Sequence, residues 1–401
     1  MPFLFPVLLL LLTCFPGYSL LAQNAAGKLQ YPAGLRNAYF GVNAGALQYR
    51  FSAAQLEPGF SVGAVQAPAH AVRLILYGRP IGRHIAAQVT YMRPVDWVKF
   101  KNINGDQRSY NVWMNYAGLT LTGSLALSSK LVVAGEAGLC IITRKGFSIG
   151  GKQVVRDAVY GDWMGGLSLQ YRLRPKWRLT AGVLTSPYRK NERQPSTTFL
   201  SAGFSYHLIP FTADQLAQKK KTARYFPGQS LQIGYTTNAL GYGVNNAVSK
   251  GPVPIFWGGE VHLRSGVSIN YQRTVFHARK VFAFDIGAGA GWWQTDLLRQ
   301  RFFTATVYPA LKFYAWRHKH RLLYFEYTAA GPAFLSKPSL DTKSTGKRFT
   351  FYDALGAGFI SGKKSNLLFS VRIAHFSNGN IFPRNDGVKV PLSFSLGYCF
   401  P

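Results

Sequence analysis

Residues 365–377 and 388–400 both alternate apolar and polar side chains with a period of two. That spacing sends successive side chains to opposite faces of a strand. In the first run Leu367, Phe369, Val371 and Ile373 share one face, and Asn366, Ser370 and Arg372 the other. His375 and Ser377 continue the apolar face. In the second run Leu392, Phe394, Leu396, Tyr398 and Phe400 oppose Ser393, Ser395, Gly397 and Cys399. A chain that ends in alternating aromatics reads as the last strand of a membrane β-barrel, apolar face against lipid. The His-x-Ser pair is then aimed at lipid, an odd place for polar groups.

The rest of the sequence agrees with export and a closed sheet. Residues 1–23 carry no charge and contain the run from Leu8 to Leu12, which reads as a signal peptide (1–22) cleaved near Ala22. Cys14 only faintly fits a lipoprotein site. No later stretch approaches the 18 consecutive apolar residues of a membrane helix. Yet 47% of residues are hydrophobic, 15% are aromatic and 41 are Gly, and lipid tolerates sheets only when they close. The net charge of +31 would ordinarily suggest nucleic acid. For a barrel of the Gram-negative outer membrane, the phosphates of lipopolysaccharide are the better partner, and no nucleic-acid motif is present. Cys140 and Cys399 are too few for a disulfide framework.

Strand-like runs fall into two series of eight: near 37–52, 71–78, 83–94, 108–126, 129–144, 156–172, 176–187 and 196–208, then 229–243, 257–275, 279–293, 302–316, 320–335, 346–361, 365–377 and 388–400. Short turns alternate with long loops, such as 53–70, 95–107 and 145–155, as in barrels with short periplasmic turns. Residues 209–227 are polar and basic and suit a short helix from Thr212. The expected fold is all-β: a transmembrane antiparallel β-barrel, as two tandem eight-stranded barrels (23–208 and 228–401) joined by a basic linker. A single 16-stranded barrel is the alternative. Small inward residues in the second series (Gly287, Gly289, Gly291) suit a narrow, filled interior. Asp285, Glu326 and Arg372 share the inward parity and read as a satisfied interior network.

Counting from Ser365 at about 3.3 Å per residue and a tilt near 40°, His375 lies roughly 25 Å up, at the outer rim. A serine nucleophile needs a base within reach and a group to orient that base. Asp353 stands in an otherwise apolar row, Phe349, Phe351, Leu355 and Phe359. A three-residue turn closed by Gly362 and Asn366 puts it opposite His375; the other even register puts it diagonal. The remaining histidines form no metal-ligand spacing beyond His318-Lys-His320, so no metal or cofactor is expected.

His375-Phe-Ser377-Asn378-Gly379, with Asn385-Asp386-Gly387 and an aromatic-ended strand, resembles the lipid A 3-O-deacylase family, the outer-membrane acyloxyacyl hydrolases, over about 228–401. The resemblance implies an eight-stranded barrel that removes an ester-linked acyl chain from lipid A by a Ser-His-acid triad. It makes Ser377 the nucleophile, His375 the base and Asn378 an oxyanion-hole contributor. The family pattern has a Glu as triad acid two residues past the Asn-Asp-Gly turn, where this chain has Lys389, which strand parity turns inward. Asp353, or less readily Asp386, is then the substitute acid; a Ser-His dyad or a chain without catalysis are the other outcomes. Arg348 and Arg384 are candidates for holding lipid A phosphates. The C-terminal strand is expected to engage the barrel-assembly machinery. The first series carries no comparable motif and reads as an anchor or partner-binding module. A non-catalytic barrel that binds lipopolysaccharide or stabilises the envelope is the rival function.

Overall fold

The computed structural model describes residues 27–249, 258–278, 280–379, 381–382 and 384–400; the expected signal peptide lies outside them. The chain divides into two compact units, each an antiparallel ring of strands. Strand β1 (Tyr39–Tyr49) pairs with β12 (Thr197–His207), and β13 (Gln229–Thr237) pairs with β22 (Val388–Phe400). Each half closes on itself, which excludes one 16-stranded barrel.

The first ring consists of β1, β3 (His70–Pro80), β4 (Ile85–Pro94), β6 (Asp106–Ala126), β7 (Leu131–Lys145), β10 (Ala158–Arg174), β11 (Trp177–Ser186) and β12. Period-two patterning explains its two faces. Along β10, Trp163, Leu167, Leu169 and Tyr171 are exposed outward, while Asp162 and Met164 are buried inward. The segments 53–70, 95–107 and 145–155, expected as loops, contain strands instead: β2 (Val62–Gln66), β5 (Val98–Ile103), β8 (Phe147–Ile149) and β9 (Lys152–Val155). The reason lies in β6, whose 21 residues are about twice the 9–11 that cross a membrane. Its overhang needs partners, and β5 supplies them through a two-residue turn. Asn104 (φ 48°) and Gly105 (φ 86°) both take positive φ, as the tight hairpin turn with Asn-Gly requires.

The second ring is a closed barrel of β13, β14 (Val261–His277), β15 (Phe282–Thr295), β16 (Arg301–His318), β17 (Arg321–Leu335), β20 (Phe349–Ser361), β21 (Leu367–Ser377) and β22, with a small hairpin of β18 (Ser339–Leu340) and β19 (Lys343–Ser344) in one loop. Helix α1 (Ala213–Thr222) precedes it, capped by Thr212 and Gln215 in a reciprocal box, as the sequence suggests. The strand expected over 229–243 stops at Thr237 and gives way to a second helix, α2 (Gly243–Ser249). Beyond that point β14 and β22 close the wall directly, in parallel, with Val261 beside Val388 and His262 beside Lys389.

The interior of this barrel is filled. Inward tyrosines occupy the room that inward glycines leave: a Cβ on Gly358 would lie 2.2 Å from the Tyr324 ring. The expected inward charges form one buried network, completed by Lys312. Its ammonium lies 2.7 Å from Asp285 and 3.7 Å from Glu326, and Arg372 lies 3.8 Å from Glu326. Gln272 donates to Glu326 (3.0 Å), and Gln232 accepts from Arg372 (3.0 Å) and Ser370 (2.8 Å). Two cations and two anions leave the cluster neutral, the condition under which buried charge is tolerated.

Candidate active site on the outer wall of the second barrel

Strands β20 and β21 pair so that Asp353 is directly opposite His375 and Phe351 opposite Ser377. This is the register that a turn closed by Gly362 and Asn366 dictates; Gly362 takes φ +93° there, a conformation glycine adopts without strain. His375 Nδ1 lies 3.4 Å from Asp353 Oδ2. Both belong to the outward face: their neighbours Ala354, Ala374 and Phe376 form the barrel's inner core cluster. Although outward, His375 is only 1% exposed. The carboxylate beside it is held from the far side, because the backbone N–H of Ala330 donates to Asp353 Oδ1 at 2.5 Å. That donor is free because β17 bulges between Thr328 and Gly331, with Ala330 at φ +47°. A bulge releases a ladder group and re-aims it.

A second bulge lies on the other side of His375. The β21–β22 register slips between Arg372 and Ala374, so that Ala374 pairs with Val390 and His375 with Lys389. Pro391 and Leu392 of β22 together oppose the single residue Ile373, so β22 carries one extra residue there. Proline has no N–H for a ladder bond, so inside a sheet it belongs at such a site. The slip corrects the expectation that Lys389 faces inward: it shares His375's outward face, and Val388 and Val390 turn into the buried core. Asn245 of α2 takes the Val390 carbonyl (2.9 Å), and Lys389 Nζ donates to Asn246 Oδ1 (3.2 Å). With His262 paired to Lys389 and stacked on Tyr242 at 4.6 Å, a cross-strand row runs Asp353, His375, Lys389, His262.

Ser377 sits one step further along the same face of β21 and is half-buried. Residues two apart on a strand are separated by roughly 6.6 Å of rise, so imidazole and hydroxyl would have to lean toward each other to meet. With Nδ1 beside the carboxylate, Nε2 is the nitrogen left for the hydroxyl. Asn378 is fully buried. Its side-chain nitrogen donates to the carbonyls of Thr345 and Arg384 (both 3.0 Å), and its backbone N–H to Asn385 Oδ1 (2.8 Å). It serves an oxyanion at Ser377 only by exchanging one of these bonds. Asp386 is engaged elsewhere, exchanging hydrogen bonds with the backbone of Ser344 at 2.7 and 3.0 Å. Arg348 and Arg384 are exposed in the loops at this end. Among the described residues no group of His, Cys, Asp and Glu could hold a metal ion.

Residues 261–398, from the start of β14 into β22 but without β13, match the sequence model of the lipid A 3-O-deacylase (PagL) family. No curated protein sequence matches the chain. Among solved structures, the chain is similar to the outer membrane enzyme PagL (17% identity, 43% of this chain, 99% of that one, TM-score 0.29). It is also similar to Neisserial surface protein A (17%, 42% and 96%, TM-score 0.29) and to the attachment invasion locus protein Ail of Yersinia pestis (13%, 42% and 97%, TM-score 0.26).

Proposed function

With residues 261–398 belonging to the lipid A 3-O-deacylase (PagL) family, we propose that this outer-membrane barrel protein hydrolyses an acyl ester of lipid A by a Ser-His-Asp mechanism. Ser377 Oγ attacks the ester carbonyl while His375 Nε2 takes its proton. The tetrahedral intermediate collapses, His375 returns the proton to the departing lipid A hydroxyl, and an acyl-serine remains. Water, activated by the same imidazole, then frees the fatty acid. Asp353 orients His375 through Nδ1 and stabilises the imidazolium. Asn378 meets the oxyanion as one of its loop carbonyls is released, and Arg348 and Arg384 hold lipid A phosphates as charge-assisted pairs. The signal peptide exports the chain, and the C-terminal strand is the segment the barrel-assembly machinery engages.

The observation that carries this reading is the pairing of Asp353 with His375 on the outward face, one step from Ser377. The acid comes from the strand before the His-x-Ser motif, and Lys389 occupies the family's acid position on the strand after it. That substitution favours the second reading, a non-catalytic barrel that binds lipopolysaccharide. Mass spectrometry of lipid A from cells expressing wild type or Ser377→Ala separates the two. Loss of one acyl chain with wild type alone supports hydrolysis; equal acyl counts, with both proteins folded, support binding only.

A further inference from the structure

The first barrel is packed at one end and hollow at the other. Its core cluster, including Met92, Tyr116, Ile142 and Met164, fills the end with the long loops. Below Leu184 and Phe199 lies a lumen cavity of about 320 Å³, reaching the rim of short turns near Arg83 and His84. By the barrel rule that rim is periplasmic. Its size falls at the lower end of the 300–1,000 Å³ typical of small-molecule sites.

Charge sets this cavity apart from the neutral interior of the second barrel. Four arginines line it, Arg73, Arg83, Arg172 and Arg178, against one carboxylate, Glu136. Glu136 is paired with Arg73, and among the described residues Arg83, Arg172 and Arg178 have no acidic partner. Arg172 and Arg178 are directly opposite each other on β10 and β11, both on the inward parity with Gln170 and Thr180. Like charges placed directly opposite destabilise a sheet. Arg73, buried at 6% exposure, also leaves its Nε donor without a partner. A wall that sets cations face to face around a cavity, with a buried donor unmet, is arranged for an anion.

We propose that the lumen of the first barrel binds a small phosphate monoester from the periplasmic side. A phosphate monoester carries close to two negative charges and three strong acceptor oxygens. One such group can bridge two guanidinium forks that otherwise repel, a task that suits the planar donors of arginine. Four arginines around the cavity suit a charged, headgroup-sized solute rather than a lipid's acyl chains.

The test is calorimetric titration of the full-length protein, folded in a non-ionic detergent, with glycerol 3-phosphate. The expected result is saturable binding with a raised melting temperature, and affinity at least tenfold weaker in the Arg172→Gln/Arg178→Gln double variant. Without ligand that variant is expected to melt no lower than wild type, because a repulsion has been removed. Arg83→Gln, at the rim, is the second variant and should weaken binding several-fold. Absence of saturable binding, unchanged affinity in the double variant, or equal competition by phosphatidic acid held in micelles would each overturn the proposal. The last outcome would place the contact on the outer surface.

Discussion

Lys389 stands directly across from His375, on the face where simple alternation along the last strand does not put it. The bulge at Pro391 and Leu392 brings it there, while Asp353 flanks the same imidazole from the other side at 3.4 Å. On the register of the three strands His375 therefore lies between Asp353 and Lys389, whose ammonium reaches to Asn246. Which neighbour governs the imidazole can be tested directly.

If Asp353 orients His375, Asp353→Asn should lower kcat/KM on lipid A by about 10²–10⁴ and leave a measurable residue, as loss of a triad acid does. His375→Ala and Ser377→Ala should each cost at least as much, and Ser377→Ala/Asp353→Asn no more than Ser377→Ala alone. Steady-state deacylation in detergent micelles checks this. An Asp353→Asn enzyme as active as wild type would remove Asp353 from the mechanism.

Because positions 353 and 389 are the two cross-strand partners of His375, an acid at 389 should partly replace one at 353. Lys389→Glu in the Asp353→Asn background is expected to recover at least tenfold of the lost activity. The same change in wild type removes the donor to Asn246 (3.2 Å) and should raise protease sensitivity near α2. Activity assays with limited proteolysis read both effects; failure of Lys389→Glu to recover activity would show that position 389 does not communicate with the imidazole.

Asn378 ties two loop carbonyls together with one side-chain nitrogen. Asn378→Ala should increase cleavage near Thr345 and Arg384 and also lower kcat by about 10²–10³, the usual cost of losing an oxyanion donor. A fall in kcat with unchanged KM and faster proteolysis is the expected pair. Faster proteolysis with unchanged kcat would confine Asn378 to a structural role.

Lys312 is the only cation within 4 Å of Asp285 among the described residues and also faces Glu326. Lys312→Met leaves the two carboxylates with Arg372 alone, so the network carries a net negative charge. Breaking a buried ionic network from one side costs about 3–5 kcal/mol. The heat-modified gel shift of the folded barrel should then disappear at lower temperature or urea concentration than in wild type. Asp285→Asn in the same chain should restore part of the loss, because neutrality returns.

The sequence alone determined an all-β barrel fold and the outward face of His375 and Ser377; it favoured two barrels over one, and put Asp353 either opposite His375 or diagonal to it, and the structure decided both. The reason is that a strand's faces follow from counting in twos, and a short turn fixes register to a single residue. A turn closed by Gly362 and Asn366 was one of two even registers open to Asp353, and it is the one the strands adopt. Counting in twos holds only while a strand is regular. The reading of 388–400 as a regular strand and of 95–107 as a loop passed over Pro391, which a central strand cannot pair, and Asn104-Gly105, a hairpin turn; the faces beyond them depended on how neighbouring strands accommodated the irregularity. The donor from Ala330 had no signal in the sequence, since a backbone N–H is freed only when two strands disagree in length. The hollow in the first barrel was equally hidden. Whether Arg172 and Arg178 meet across a packed core or an open lumen depends on side chains from all eight strands at once, and only the tertiary structure brings those together.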